Sequence, residues 1–354
     1  AGAVDFDTYV LLFEGNPLGA LPDRQPPVGA NNNACGVQSV VEHRGVGGRT
    51  YYVLVGGANG VTGPFHLAAE VVAAPPTATP LPWGLDRIDQ RSLPLDGAYT
   101  AGDSGGGVTV YVLDSGIRRG HAEFPAARVR AGLNAVDGWA PPDDCTGHGT
   151  HVAGIVGGAH FGVATRVSLV AVKVLDCTNR GYVSRVNRAL EWVLADVAAG
   201  AANGSAAAPR APAVVSMSLS TPVSRALNAG VRAVIDAGIP VVAAAGNYRG
   251  DSCAYSPASE AAAITVAATS RGDARPRFSN FGGCIDVYGP GQDILSAWHT
   301  GDHAAANASG TSAAAPHVTG TVAALLGVNP TLTPAEVNSI LFSIATFSAV
   351  TSTR

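Results

Sequence analysis

The chain has 354 residues, of which 47% are apolar and 14% charged, with a formal net charge of −4. That is too apolar for a disordered chain, and the length suits two domains or one large one with an extension. The charge balance gives no sign of a nucleic-acid or anionic-membrane partner, and no apolar run reaches the roughly 18 residues a bilayer span needs. The longest candidate, Val234–Ala245, is interrupted by Asp236 and Pro240.

In chain order, Asp7–Phe13 (DTYVLLF) and Thr50–Val55 (TYYVLV) read as strands, separated by Pro- and Gly-rich turns. They define a small α+β unit over residues 1–74. Residues 73–82 (AAPPTATPLP) hold four prolines and can form neither a helix nor a central strand. This is the predicted linker, and a second domain is expected over 75–354.

Beyond it, Val108–Leu113, Ser168–Val174, Val214–Leu219, Val241–Ala245 and Ala263–Ala267 are short continuous apolar runs. Such runs suit strands buried on both faces, hence a parallel sheet. Helical patterns alternate with them over Ser184–Ala199, Ser224–Asp236, Thr311–Leu326 and Pro334–Ile344. The expected class is α/β, a mostly parallel sheet flanked by helices in three layers.

Three segments carry nucleophile chemistry. Val110–Gly116 (VYVLDSG) is a buried strand ending in the acid Asp114. Gly147–Gly154 (GHGTHVAG) places His148 at a helix start, and Gly310–Gly320 (GTSAAAPHVTG) does the same for Ser312. A hydroxyl is a weak nucleophile until a base takes its proton, and the base needs a carboxylate to fix its tautomer. Sites in open α/β sheets form at the carboxyl ends of strands, where Asp114 stands. A helix-opening Ser312 also presents its own backbone N–H, at the positive end of the dipole, to a developing oxyanion.

These three motifs, in the order Asp, His, Ser, resemble those of the subtilases. The stretch from Trp83 (WGLDRIDQR) to Leu326 resembles the proteinase K and aqualysin branch. The resemblance implies a secreted serine endopeptidase that acts on proteins and peptides, with Asp114, His148 and Ser312 as its triad. It implies that Asn247, in Val241–Asn247 (VVAAAGN), donates to the oxyanion. It also implies that residues 1–74 are an inhibitory, folding-assisting prodomain removed by autoproteolysis, and that the enzyme is a monomer. Ser218, Leu219 and Ser220 match the substrate-binding strand, and Ala244, Ala245 and Gly246 the wall of the pocket for the cleaved residue.

Two departures stand out. Ala313 follows the nucleophile where the family usually has Met. Ser220-Thr221-Pro222 replaces the glycines that let a substrate backbone approach and pair as a strand. A non-proteolytic binding protein on the same scaffold is therefore the rival expectation.

Five cysteines, at 35, 145, 177, 253 and 284, leave at least one outside any internal pairing. Four of them allow three connectivities. The resemblance selects Cys145 with Cys177 and Cys253 with Cys284, which agrees with an oxidising compartment. No export signal opens the chain at Ala1, so such a signal is expected upstream or already removed. The resemblance further implies a structural calcium held by Asp286 and the carbonyls of Ala261 and Ala263. His151 and His317 read as packed helix residues. Ser104, in the decoy GDSGG, precedes a strand and not a helix. The two Arg-Gly-Asp tripeptides and the sequon at Asn307 carry no assigned role.

Overall fold

Alternate residues of the strand that ends in Asp114 enter different cores, and this explains why its apolar run is continuous. Val110 and Val112 pack with Val152, Val156, Val318 and Val322, while Tyr111 and Leu113 pack with Leu190, Val193 and Val231. A strand clothed on both faces cannot alternate polar and apolar residues. Each such fully buried Val or Leu contributes about 1.5–3 kcal/mol relative to exposure. The computed structural model describes residues 8–14, 29–32, 51–57, 81–100, 104–125, 128–203 and 211–351. The chain divides into two compact units, Ala1–Thr79 and Pro80–Arg354.

In the first unit, β1 (Thr8–Glu14), β2 (Gly29–Asn32) and β3 (Tyr51–Gly57) form an antiparallel sheet in the order β2-β1-β3. β1 and β3 fall on the two predicted strands. β2 reads Gly-Ala-Asn-Asn, with no apolar alternation to betray it. Any helical part of this unit, most of the proline-rich linker and Cys35 lie outside the described residues.

The second unit opens with α1 (Trp83–Ile88), followed by β4 (Thr109–Asp114), β5 (Val129–Asn134) and α2 (His148–Gly157). β6 (Ser168–Lys173), α3 (Val183–Asn203), β7 (Ala213–Met217), β8 (Thr221–Pro222) and α4 (Arg225–Asp236) come next. Then follow β9 (Val241–Ala244), β10 (Tyr255–Ser256), β11 (Ile264–Thr269) and β12 (Val287–Pro290). A hairpin of β13 (Ile294–Ala297) and β14 (Ala305–Ala308) leads into α5 (Thr311–Val328) and α6 (Pro334–Ile344).

Seven strands make one sheet, β12-β11-β9-β7-β4-β6-β5, and every pairing in it is parallel. α2, α5 and α6 cover one face, α3 and α4 the other. From β4 the chain crosses to the edge strand β5, returns through β6, and then passes to β7 on the other side of β4, so the carboxyl ends of β4 and β7 flank a switch point where a crevice opens.

Local chemistry sets the helix starts. Ser224 is the N-cap of α4, not its first residue, and its Oγ accepts from the Leu227 N–H at 3.2 Å. Thr333 and Glu336 form a reciprocal capping box around Pro334, so α6 coincides with its predicted range.

Candidate active site

Asp114 is the last residue of β4 and has no solvent exposure. His148 is the first residue of α2. Its approach depends on Gly147, which has φ of 94° and lies so close to the Trp298 ring that a Cβ there would overlap it. The His148 Nδ1–H donates to Asp114 Oδ1 at 2.7 Å, and the Ser115 N–H donates to the same oxygen at 2.7 Å. Burial alone would lower the His148 pKa. The Asp114 charge and hydrogen bond, with a smaller contribution from Asp144, outweigh it, and the pKa is raised above 6.5.

Asp144 anchors the loop that carries His148. Its Oδ1 accepts from Ser115 Oγ, Thr146 N and Gly147 N at 2.8, 2.9 and 3.0 Å, and its Oδ2 from Thr150 N and Oγ1 at 2.9 and 2.6 Å. Burial pushes its pKa up, but these donors hold it below the usual carboxylate value. The buried Lys173 Nζ donates to the Ser115 carbonyl and lies 3.3 Å from Cys145 Sγ. Burial lowers its pKa against the pull of Asp144 and Asp114.

Ser312 is the second residue of α5, where backbone N–H groups lack intrahelical partners. Pro316 lies four residues on and has no N–H to give the Ser312 carbonyl. Ser218 Oγ supplies the missing bond at 2.9 Å, which ties the nucleophile's turn to the segment after β7. Asn247 is oriented by Thr311, whose N–H and Oγ1 donate to its Oδ1 at 2.9 and 3.0 Å. With its oxygen held, the amide Nδ2 is left facing the Gly310–Ser312 turn. A Cβ placed on Gly310 would stand 3.1 Å from Asn247 Nδ2 and 2.8 Å from Ser312 Oγ.

One cleft brings together His148, Ser312, Asn247, Ser218, Leu219, Ser220, Ala244 and Gly246, with Thr311 and Tyr248. Ala245 does not line the cleft: it is buried in the sheet, with its N–H on Val266 O and its carbonyl on Asn280 Nδ2. Thr221 and Pro222 do not line it either. They form β8, paired antiparallel with Ser256 and Tyr255 of β10. Pro222 is tolerated because β8 is a two-residue strand at an edge.

The disulfides are Cys145–Cys177 and Cys253–Cys284. Asp286 Oδ2 accepts from the Thr265 N–H at 2.7 Å, and burial raises its pKa against that bond. Among the described residues no cluster of three or more His, Cys, Asp or Glu could hold a metal ion. Calcium at Asp286 would thus depend on carbonyls such as those of Ala261 and Ala263.

His151 and His317 are buried and neutral, each lowered to about 4 by desolvation. His151 Nε2–H donates to Ile294 O at 2.9 Å, and His317 Nδ1–H to Ala313 O at 2.9 Å. Ser104 sits in the turn before β4, away from the cleft. Asp273 of the second Arg-Gly-Asp is paired with Arg87 at 2.8 Å.

Residues 105–353 match the sequence profile of the subtilase family. An extracellular serine proteinase of Thermus sp. is 47% identical over 80% of this chain and 66% of its own length. Alkaline serine exoprotease A of Vibrio alginolyticus is 44% identical over 80% of this chain and 50% of its own. The chain thus spans between half and about two thirds of these relatives. The crystal structure of a cold-adapted subtilisin-like serine proteinase superposes with a TM-score of 0.70 at 43% identity, over 76% of this chain and 93% of that one. The chain belongs to the subtilase family.

Proposed function

We propose that the protein is a serine endopeptidase that hydrolyses peptide bonds through an acyl-enzyme. The observation that carries this reading is the 2.7 Å Asp114–His148 bond opening on the cleft that also holds Ser312 and Asn247. Ser312 Oγ attacks the scissile carbonyl as His148 Nε2 takes its proton. Asp114 keeps the tautomer and stabilises the imidazolium. The Ser312 N–H and Asn247 Nδ2 receive the oxyanion, His148 returns its proton to the leaving amine, and water repeats the cycle on the ester.

The first unit is read as the prodomain and intramolecular inhibitor, removed by self-cleavage near the linker. Export is supported by the two disulfides and by the extracellular relative from Thermus. Among the described residues no helix is long and apolar enough to cross a membrane. The mature enzyme is read as a monomer.

A biotinylated fluorophosphonate tests the activity directly. The processed protein should take up one label per chain, mapped to Ser312, and should hydrolyse casein until labelled. A label on another serine, or no label, contradicts the reading and favours a binding protein.

Asp286, with the carbonyls of Ala261 and Ala263, is proposed to hold calcium, which would stabilise the native state by mass action. Each disulfide closes a loop of about 30 residues and should stabilise by about 2–4 kcal/mol. Reduction of the mature enzyme breaks both and should therefore lower Tm by roughly 7–14 °C. Chelation should lower it separately, by an amount that added calcium restores. An unchanged Tm in chelator removes the calcium assignment.

A further inference from the structure

Ser220 stands where the family pattern has glycine, and its surroundings give the side chain a consequence. We propose that Ser220 is a specificity-determining residue that closes the pocket beside Ser312. It thereby restricts the residue whose carbonyl is attacked to a small side chain, alanine above all. This deepens the peptidase reading and rests on it.

Ser312 and Asn247 fix where the attacked carbonyl must lie. The side chain one bond away then enters the gap between Ser218–Ser220 on one side and Ala244 and Gly246 on the other. Three groups crowd the point where a Cβ on Gly246 would stand, the nearest being the buried Asn280 Nδ2 at 2.5 Å. The Ser220 hydroxyl, fully shielded from solvent, lies 3.1 Å from where a Cβ on Gly246 would stand. The Tyr248 ring edge lies 3.3 Å from the same point. The two walls therefore nearly meet at Gly246, which carries no side chain.

Neither wall can withdraw cheaply. The Gly246 N–H donates to Thr311 Oγ1 at 3.0 Å, and the Gly246 carbonyl accepts from the Asn280 N–H at 3.0 Å. Tyr248 stacks on Tyr255 with centroids 4.5 Å apart and planes 9° from parallel, and Tyr255 pairs with Pro222 in the β8–β10 ladder. Thus the neighbours of Ser220 on its own segment brace the opposite rim. The part of the cleft that these walls share with His148, Asn247 and Ser312 measures about 180 Å³.

The hydroxyl has no hydrogen-bond partner among the described residues. A buried unpartnered hydroxyl destabilises a fold, so Ser220 is not there as a bonded strut. What it adds to the cleft is volume. A pocket shortened by two heavy atoms should reject a large side chain strongly, since single methylenes already change selectivity by 10-fold or more.

The experiment compares kcat/KM on matched tetrapeptide p-nitroanilides that differ only in Ala, Leu or Phe before the cleaved bond. Active sites are counted in every preparation with the fluorophosphonate. The native enzyme should prefer Ala to Phe by at least about 10-fold. S220G should raise the Phe/Ala ratio by about 10-fold or more, and S220A, which keeps Cβ and loses the hydroxyl, should fall between them. A native preference for Phe overturns the proposal. So does a Phe/Ala ratio that stays within about twofold in both variants while Ser312 still titrates. Absence of any titratable nucleophile in the native enzyme would instead sink the peptidase reading itself, and this proposal with it.

Discussion

Ser312→Ala is expected to leave a single full-length chain with no measurable proteolysis. The change removes one oxygen and little else. The Ser312 carbonyl keeps its bond to Ser218 Oγ, and Thr311 still orients Asn247 through two bonds. The oxyanion donors therefore survive, and Tm should stay close to that of the similarly unprocessed precursor. Activity should nonetheless fall about a million-fold, the scale known for subtilisin's own nucleophile, because a preorganised oxyanion site without a nucleophile leaves only a small residual rate. The result is read from a denaturing gel, the intact mass, and hydrolysis of casein. A purified variant that still sheds the N-terminal fragment, or still digests casein, would exclude Ser312 as the nucleophile.

The parts of the fold that were legible share one physical cause. β4, β6, β7, β9 and β11 lie inside the sheet with both faces covered, and so appear as unbroken apolar runs. β5 and β12 lie at its two edges. β5 reads Val-Arg-Ala-Gly-Leu-Asn and buries only its end residues, so nothing in its composition distinguishes it from a loop. β12 is four residues long and contains both Gly and Pro. β8 and β10 are two residues each, and their pairing exists only because the cleft rim folds back on itself. That pairing ties one edge of Thr221 and Pro222 to β10, while Ser220 is the departure that lines the cleft.

The site divides in the same way. Asp114, His148, Ser312 and Asn247 sit in short Gly-flanked motifs at the ends of strands or the starts of helices, and such motifs can be read locally. Their supports cannot. Asp144 looks like one of two acids before a cysteine until the loop 146–150 closes over it with its N–H groups. Thr311 was visible inside the motif, but its hold on Asn247 spans 64 positions. The bond from Ser218 to Ser312 has a sequence cause in Pro316. Finding it requires asking which carbonyl that proline leaves unpaired, and then knowing what lies beside it.

Asp114→Asn should lower kcat/KM by about 10,000-fold and move its acid limb downward. The two effects have different origins. Asp114 Oδ1 accepts from both the Ser115 N–H and His148 Nδ1, while Oδ2 is buried with no partner among the described residues. An asparagine amide has two placements. With its oxygen in the shared position it preserves the tautomer, but buries an unpartnered NH2 and carries no charge to stabilise the imidazolium. With its NH2 there, it opposes the Ser115 N–H and holds the proton of His148 on the wrong nitrogen. Both placements remove the main influence that raises the His148 pKa against desolvation, so that pKa must fall. The base works only when deprotonated, and kcat/KM therefore rises with pH through the His148 pKa. In the native enzyme that rise should be centred above 6.5. In the variant it should be centred lower, with a plateau far beneath the native one. The check is a pH profile of kcat/KM for both proteins on one chromogenic peptide, with active sites titrated at each pH. A variant within about tenfold of native, or one whose acid limb stays in place or moves upward, would mean that Asp114 does not act on His148 as the geometry implies.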